Sequence, residues 1–438
     1  MNEIVATGLA GSEAAPAFVH AVAELGAKRP VKTSQPIYNA QGIKLLEGGV
    51  TIDQTLYERL FSHRLSLPLD ECIDPGPGTE GASLVAAARA AIARWPFFAR
   101  AVAEGEGGKV VFDALGAMKL PKPVALHLTL ALETRPRLFD HSILMALLCA
   151  HLVRENGAPR AEVREAAAAG LLHDLGMLHI ETDLLDSEER LSGDELKPVY
   201  VHPVTSSMLV DRFAEYSKVV VRAIAEHHER LDGSGYPRGL AGAAISPLGR
   251  VLALAEVVTA MFDGDRRWPE QRVSLLLRIN PRRYDSAHVA AIHRLLASAP
   301  MPADADGIDA DALVARLLQL TDALAHWRAT SEAIGSALPV GQSTLVRAVD
   351  AQNATLQRML YDAGVTREQL SAIAGEVGGD AALRVELWAI SEELLWQLHA
   401  AANQVKRRWP ASSLAHPREL TAWFETVAAL DRAPAAAR

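Results

Sequence analysis

The sequence predicts a mainly α protein with a small α/β region at its N-terminal end and a helical region at its C-terminal end. Helix start and stop signals follow one another through residues 126–298, with few strand patterns between them. Two apolar stripes at helical spacing lie further on, in 313–327 and 383–398. The 438 residues are 49% hydrophobic and 22% charged, which suits two or three globular domains.

The N-terminal region, residues 1–125, combines one strand signal with helix signals. Residues 36–43 are β-like and contain a turn signal that ends at Gly42. A loop rich in proline and glycine separates two predicted helices, which cover 51–62 and 82–94. The region therefore predicts a small α/β unit without a motif that indicates chemistry.

The second region, residues 126–298, is predicted to be a series of helices. Pro136 interrupts the helical pattern, because proline has no amide hydrogen to donate. Ser246 followed by Pro247 is a start signal, with an N-cap residue and a proline at the first helical position. The helices predicted after Pro136 cover 140–155, 161–175, a segment opened by the capping-box pair Ser192 and Glu195, 217–229 and 247–262.

Residues 299–310 are predicted to be a linker, and residues 311–438 a helical C-terminal domain. The two apolar stripes in this domain are typical of the buried faces of packed helices. The alternative is the seam of a coiled-coil homodimer, for which each stripe is short. A homodimer therefore remains open as the alternative interpretation of the two stripes.

Charge and cysteine content limit the classes of function. The net charge of −9 and the pI of about 5.9 argue against binding to nucleic acid polymers, which needs a broad basic surface. The two cysteines, Cys72 and Cys149, form no CxxC pair and indicate a reducing compartment. Residues 1–18 lack the pattern of a signal peptide, and the most apolar run, 143–153, is too short to span a membrane. We therefore expect a cytoplasmic protein.

Histidines and acids between residues 141 and 256 are the strongest sign of chemistry. The pair His173 and Asp174 is weak alone, because a single histidine on an apolar helix is usually a core residue. Pro203 after His202 leaves a backbone carbonyl without a donor and bends the helix, which can aim that histidine inward. The set also contains His141, the neighbours His227 and His228, and Glu256.

This set has the composition of a metal centre. Adjacent helical side chains diverge by about 100°, so His227 and His228 can share one site only where their helix ends. Five imidazoles and two carboxylates suit iron, manganese or zinc better than calcium. Seven side chains are about right for two divalent ions that share Asp174. Two such ions can hold a bridging hydroxide for an in-line phosphoryl displacement.

The string HHERLDGSGYPRGL, residues 227–240, matches every specified position of the pattern HHExxDGxGYPxGL. Residues 137–265 therefore resemble the HD-GYP family of HD phosphohydrolases. The resemblance implies an all-helical fold with two or three metal ions, commonly iron or manganese. It also implies hydrolysis of cyclic di-GMP to pGpG or GMP. The matched motif-loop residues are Asp232, Gly233, Gly235, Tyr236 and Pro237.

The resemblance also implies roles for single residues. By analogy, His173 and Asp174 are catalytic. One ion would take His141, His173, Asp174 and Glu256, and the other would take Asp174, His202, His227 and His228. Arg137 stands where three-metal members have a glutamate, so we expect two ions. Substrate contact is predicted for Tyr236, Arg238 and Arg266, whose ring or guanidinium groups suit guanine or phosphate.

Two departures from the family pattern keep other functions open. Met177 replaces the usual lysine, and Glu256 replaces the usual aspartate. The main alternative is a degenerate domain that keeps its metals and acts as a cyclic di-GMP signalling adaptor. Such an adaptor would bind signalling proteins through the GYP loop, residues 233–240, or through the C-terminal helices. A third reading is a phosphohydrolase acting on another nucleotide.

Overall fold

The computed structural model describes residues 16–52, 56, 60, 63–74, 76, 78–102, 106–180, 197–264, 266–334, 340–409 and 417–430. Within these residues the protein is mainly helical, and its short strands lie before residue 75. This confirms the predicted fold class. Most of the helix predicted over 51–62, and the pair Ser192 and Glu195, lie outside the described residues.

The N-terminal part forms two small antiparallel sheets among short helices. β1 pairs with β4, and β2 pairs with β3 across a turn in which Gly42 has a φ of +78°. Gly42 thus occupies a left-handed conformation that favours glycine. The elements are α1 (Pro16–Lys28), β1 (Lys32–Thr33), β2 (Ile37–Tyr38), β3 (Lys44–Leu46), α2 (Leu69–Cys72), β4 (Ile73–Asp74), α3 (Gly81–Arg94), α4 (Pro96–Ala101) and α5 (Glu106–Gly116).

The middle part holds the helices that carry the histidines. α7 begins at Pro136, four residues earlier than predicted, because proline is well tolerated in the first turn of a helix. The hydroxyl of Ser246 accepts a hydrogen bond from the Gly249 amide at 3.1 Å, as an N-cap does. The elements are α6 (Lys122–Thr134), α7 (Pro136–Glu155), α8 (Arg160–Leu172), α9 (Lys197–Asp211), α10 (Lys218–Glu226), α11 (Pro247–Thr259), α12 (Pro269–Ile279) and α13 (Ser286–Leu296).

Helix α7 lies at the centre of this part and packs against α6, α8 and α11. It is long and apolar enough to cross a membrane by length and composition, but 78% of its most apolar window is buried within the protein. Burial of this kind is typical of a core helix. Cys149 is buried within α7 as a free thiol.

Contacts divide the chain into two units. One holds most residues up to Arg267 together with Asn280–Ser298, and the other holds Trp268–Ile279 and the residues from Ala299 onward. α12, which the prediction placed in the region 126–298, therefore belongs to the second unit. The other predicted boundaries, at residues 125 and 311, stay predictions.

The second unit is a helical bundle with its own core. Both predicted stripes are largely buried in it, with Leu320 and Leu394 fully covered. The packed-core interpretation accounts for these stripes, and neither is left as an exposed coiled-coil seam. Its further elements are α14 (Ala310–Ile334), α15 (Val340–Asp362), α16 (Arg367–Val377), α17 (Ala381–Arg408) and α18 (Arg418–Ala429).

Candidate metal centre

Interrupted helices place most of the candidate ligands. α8 ends at Leu172, so His173 is its C-cap residue and Asp174 follows in a turn. α10 ends at Glu226, so His227 is its C-cap residue and His228 follows. The end of α10 lets the two neighbouring histidines turn toward one site, which a continuous helix would not allow.

The seven predicted ligands converge in the first unit. Their ring nitrogens and carboxylate oxygens form two groups, and within each group the ligand atoms lie within 4.8 Å of one another. His202, His227 and His228 form one group, and His141, His173 and Asp174 form the other. The histidines are buried except for the partly exposed His228.

Asp174 lies between the two groups, and Glu256 completes the second. The Asp174 Oδ2 atom is 3.4 Å from His173 Nε2, while its Oδ1 atom is 3.0 Å from His202 Nε2 and 3.6 Å from His227 Nε2. The Glu256 Oε2 atom is 3.1 Å from His141 Nε2 and 3.3 Å from His173 Nε2. One carboxylate therefore presents a separate oxygen to each group.

Three of the rings are oriented by main-chain carbonyls. The Nδ1 atoms of His173 and His227 each lie 2.7 Å from the carbonyl oxygen three residues earlier, of Gly170 and Ile224. Nδ1 of His202 pairs in the same way with the carbonyl of Val199. When Nδ1 donates its hydrogen, the Nε2 lone pair is left to face the centre.

A break in the helical hydrogen-bond ladder accompanies each of these carbonyls. Gly170 and Ile224 belong to the last turns of their helices. Val199 lies four residues before Pro203, which has no amide hydrogen to offer its carbonyl. The proline thus frees the oxygen that orients His202.

His141 lies inside the continuous helix α7 and has a different partner. Its Nδ1 atom lies 3.3 Å from Asp263 Oδ1 and 3.2 Å from Asp263 Oδ2. Asp263 was not among the residues predicted from the sequence. An acidic residue shortly after the Glu256 helix was the available signal, but 122 residues separate it from His141.

The arrangement fits a divalent metal ion. The buried atoms His173 Nε2 and Asp174 Oδ1 make no hydrogen bond, although other polar atoms lie close to them. Such unpaired buried atoms are costly unless another group satisfies them. Imidazole nitrogen and carboxylate oxygen together suit divalent transition metals. The chemistry of the donors and their unpaired atoms thus agree with metal binding.

Burial and mutual charge set the protonation of the centre. Burial raises the pKa of the Asp174 carboxyl, but His173 and His202 outweigh it and hold that pKa well below its usual value. Burial lowers the pKa of His173, yet Asp174 and Glu256 raise it to about 9. Burial is the main cause that lowers the pKa of His228 to about 3, which leaves its ring neutral. A cation that binds here would displace protons.

Two buried carboxylates hold the GYP loop, residues 233–240. Glu229 accepts hydrogen bonds from the backbone amides of Arg238 and Leu240, both at 2.8 Å. Glu226 accepts from the Ser246 amide at 2.8 Å and pairs with the Arg238 guanidinium at 3.1 Å. Both glutamates are fully buried, so the loop is anchored from beneath. The sequence predicts no role for either glutamate.

The motif-loop residues shape the turn. A side chain on Gly235 would place its Cβ 2.5 Å from the His228 carbonyl oxygen, while Gly233 has a φ of +78°. Asp232 accepts from the Ser234 amide at 3.0 Å and faces Arg283 at 3.3 Å. The peptide bond before Pro237 is cis.

Aromatic rings form one wall of the centre. The Tyr236 ring stacks on His228 with centroids 4.5 Å apart. The Tyr200 ring meets Tyr236 edge to face at 4.8 Å and is 42% exposed. Tyr200 was not among the residues predicted from the sequence, although its position two residues before His202 was an available signal.

Arg238 and Arg266, predicted to contact substrate, and the residues that follow Asp174 have other surroundings. The Arg238 guanidinium pairs with Glu226, and Arg266 is exposed. Met177 lies in the turn Leu175–His179, where its carbonyl accepts from Arg135 at 2.6 Å. His179 stacks with Phe18 at a centroid distance of 4.9 Å. The substrate contacts of Arg238 and Arg266 stay predictions.

Comparison with known proteins finds similarity in the part of the chain that holds this centre. The HD domain family matches residues 126–287. A cyclic di-GMP phosphodiesterase of Pseudomonas aeruginosa is 35% identical over 150 residues, which is 34% of this chain and 36% of that protein. A 3'3'-cGAMP-specific phosphodiesterase of Vibrio cholerae is 39% identical over 123 residues, which is 28% of each protein. The chain thus spans about a third of the length of these curated relatives.

A solved structure gives only a weak likeness. It is described as an HDG"Y"P protein from Bdellovibrio bacteriovorus and covers 61% of this chain and 95% of that chain. The sequence identity is 16% and the TM-score is 0.35. At this level no shared overall architecture follows.

Proposed function

We propose that the chain, whose residues 126–287 match the HD domain family, is a metal-dependent phosphodiesterase that hydrolyses cyclic di-GMP. The observation that carries the proposal is the convergence of two ligand groups on Asp174, which offers a separate oxygen to each. The relatives' names support the substrate class, since they include cyclic di-GMP and 3'3'-cGAMP phosphodiesterases. We further propose two ions, of iron or manganese, and a cytoplasmic location.

The residues of the centre would divide the work as follows. The seven ligands would hold two divalent ions, which would supply polarisation of a phosphoryl oxygen and a lowered pKa of water. His173, His202 and His227 direct their Nε2 atoms inward because their Nδ1 hydrogens are held by carbonyls. The low pKa of Asp174 keeps its carboxylate ionised and available on both sides. Asp174 and His173 are the proposed catalytic residues.

The aromatic wall and the anchored loop would hold the substrate. Tyr236 stacks on His228, so a base that lies against Tyr236 is close to the metal ligands. Tyr200 adds an exposed ring beside it. Base–aromatic stacking contributes about 1–3 kcal/mol for each base. Two purine bases of a cyclic dinucleotide suit such a wall.

A 3'3'-cGAMP substrate is the second candidate, because one of the matched relatives with higher identity is named for it. The test is to load the full-length protein with Mn(II) or Fe(II) under anaerobic, reducing conditions and to follow both dinucleotides by chromatography. We expect hydrolysis of cyclic di-GMP that Asp174→Asn abolishes. The matched control is Asp113→Asn, the same change at an exposed aspartate of α5.

The other outcomes separate the alternatives. Metal uptake without turnover of either dinucleotide would contradict the enzyme and favour the signalling adaptor. Turnover of 3'3'-cGAMP alone would reassign the substrate. A protein that takes up no divalent metal would refute the proposed function as a whole.

A further inference from the structure

The five histidines of the centre do not share one means of orientation. Three of them use main-chain carbonyls, whereas His141 uses the side chain of Asp263. We propose that Asp263 is a positioning residue that fixes the His141 ring and strengthens metal binding by the group of His141, His173 and Asp174. This inference rests on the proposed metal centre and concerns one of its two halves.

The position of His141 explains why a side chain is needed. It is the sixth residue of α7, which continues to Glu155 without a break. In a continuous helix each carbonyl accepts from the amide four residues later, so the carbonyl of Leu138 is committed to the Ser142 amide. No interruption frees a carbonyl as Pro203 does for His202. An acceptor from another element must hold the Nδ1 hydrogen.

Asp263 is well placed to be that acceptor. It follows the short 3-10 turn Ala260–Phe262, which continues directly from α11. Both of its oxygens lie near the ring, at 3.2 and 3.3 Å from His141 Nδ1, while His141 Nε2 faces Glu256 at 3.1 Å. The same short segment thus supplies a ligand carboxylate for one ring nitrogen and an orienting carboxylate for the other.

The chemistry of the acceptor predicts the effect on binding. A hydrogen bond to a carboxylate is stronger than one to a neutral carbonyl, and it makes the imidazole a more basic ligand. Loss of such an outer partner typically costs about 10–100-fold in metal affinity. The group of His202, His227 and His228 has no described contact with Asp263, so its affinity should not change.

The experiment measures the metal affinity of each class of site separately. Full-length protein is stripped with a chelator and titrated with Mn(II), while free Mn(II) is measured by electron paramagnetic resonance. The variants are Asp263→Ala, Asp263→Asn and the conservative Asp263→Glu. The control is Asp140→Asn, which removes one exposed negative charge beside His141 in sequence. Thermal unfolding of each metal-free protein shows whether the fold is retained.

We expect Asp263→Ala and Asp263→Asn to weaken one class of site about 10–100-fold and to leave the other unchanged. Asp263→Glu should restore part of the loss, and Asp140→Asn should match the wild type. Unchanged constants in Asp263→Ala, or an equal loss at both classes, would overturn the inference. If the wild type binds metal and hydrolyses substrate but the Asp263 variants bind metal as tightly as the wild type, the inference about Asp263 fails and the proposed function stands. A wild type that binds neither Mn(II) nor Fe(II) would instead remove the proposed function, and this inference with it.

Discussion

Replacing Pro203 with alanine is expected to stabilise the fold and, at the same time, to weaken the metal centre. Pro203 lies inside α9 and offers no amide hydrogen to Val199, whose carbonyl accepts from His202 Nδ1 instead. Alanine at this position brings an amide hydrogen that competes for the same oxygen. The helix gains a hydrogen bond, and the His202 ring loses its exclusive partner.

The size of each effect follows from the surroundings of Pro203. Proline inside a helix costs about 3 kcal/mol relative to alanine. Pro203 is buried, and alanine lacks two of its ring carbons. The lost burial lowers the free energy of unfolding by about 1.6 kcal/mol, at about 0.8 kcal/mol for each carbon. The free energy of unfolding should therefore rise by about 1 kcal/mol, or about 2–4 °C in Tm. Metal affinity should fall about 10–100-fold, as for other lost outer partners.

Two measurements check this pair of effects. Thermal unfolding of the metal-free protein gives the change in Tm, and Mn(II) titration gives the affinity. The matched control is Pro247→Ala, at the first position of α11, where proline already fits the helix. That variant should change neither property much. If Pro203→Ala binds metal as tightly as the wild type, or loses both Tm and affinity, the proposed role of the freed carbonyl is wrong.

Three further perturbations test other parts of the molecule. Tyr200→Ala should raise KM for cyclic di-GMP about 5–150-fold with little change in kcat, because one stacking contact of about 1–3 kcal/mol is lost, whereas Tyr200→Phe should leave KM unchanged. An unchanged KM of Tyr200→Ala in steady-state kinetics would contradict the aromatic wall. Gly235→Ala should lower activity at least about tenfold because its Cβ would lie 2.5 Å from the His228 carbonyl oxygen, while Gly375→Ala, in open space, should have no effect. Burial is the main cause that lowers the pKa of His151 to about 4, below the ordinary value near 6.5. The contribution of the neutral His151 ring to the stability of the fold is therefore complete above pH 6.5, and it is lost as the pH falls toward 4. Between pH 6.5 and 5 this loss is about 2 kcal/mol, and denaturant unfolding of His151→Gln should show a correspondingly flatter pH dependence; an unchanged slope would refute it.

The sequence was sufficient where local rules decide the structure. Two adjacent histidines can share one site only at the end of a helix, and α10 does end just before His227, at Glu226, although the sequence predicted its end at residue 229. The proline after His202 predicted an unpaired carbonyl, and that carbonyl is the partner of the ring. Both inferences needed only the rules of helix hydrogen bonding.

The sequence was insufficient where distant segments meet. Asp263 contacts His141 across 122 residues, and no spacing rule connects them. Tyr200 lies close to His202 in the chain, but its contact with Tyr236 depends on how α9 is rotated against the GYP loop. His179 follows Met177 by two residues, and its ring packs against Phe18 and His127. Tertiary packing decides each of these cases.

The use of main-chain acceptors has a consequence for how this centre can evolve. A carbonyl oxygen remains whatever the side chain at its position, so the rings held by Gly170, Val199 and Ile224 do not lose their acceptor atom when those residues change. Gly170 is constrained for another reason, because a Cβ there would lie 2.7 Å from the Met145 carbonyl oxygen. The His141 ring depends on a side chain that one codon change can alter. Natural variation in metal preference among close homologues should therefore accumulate around residue 263 sooner than around the other three acceptors.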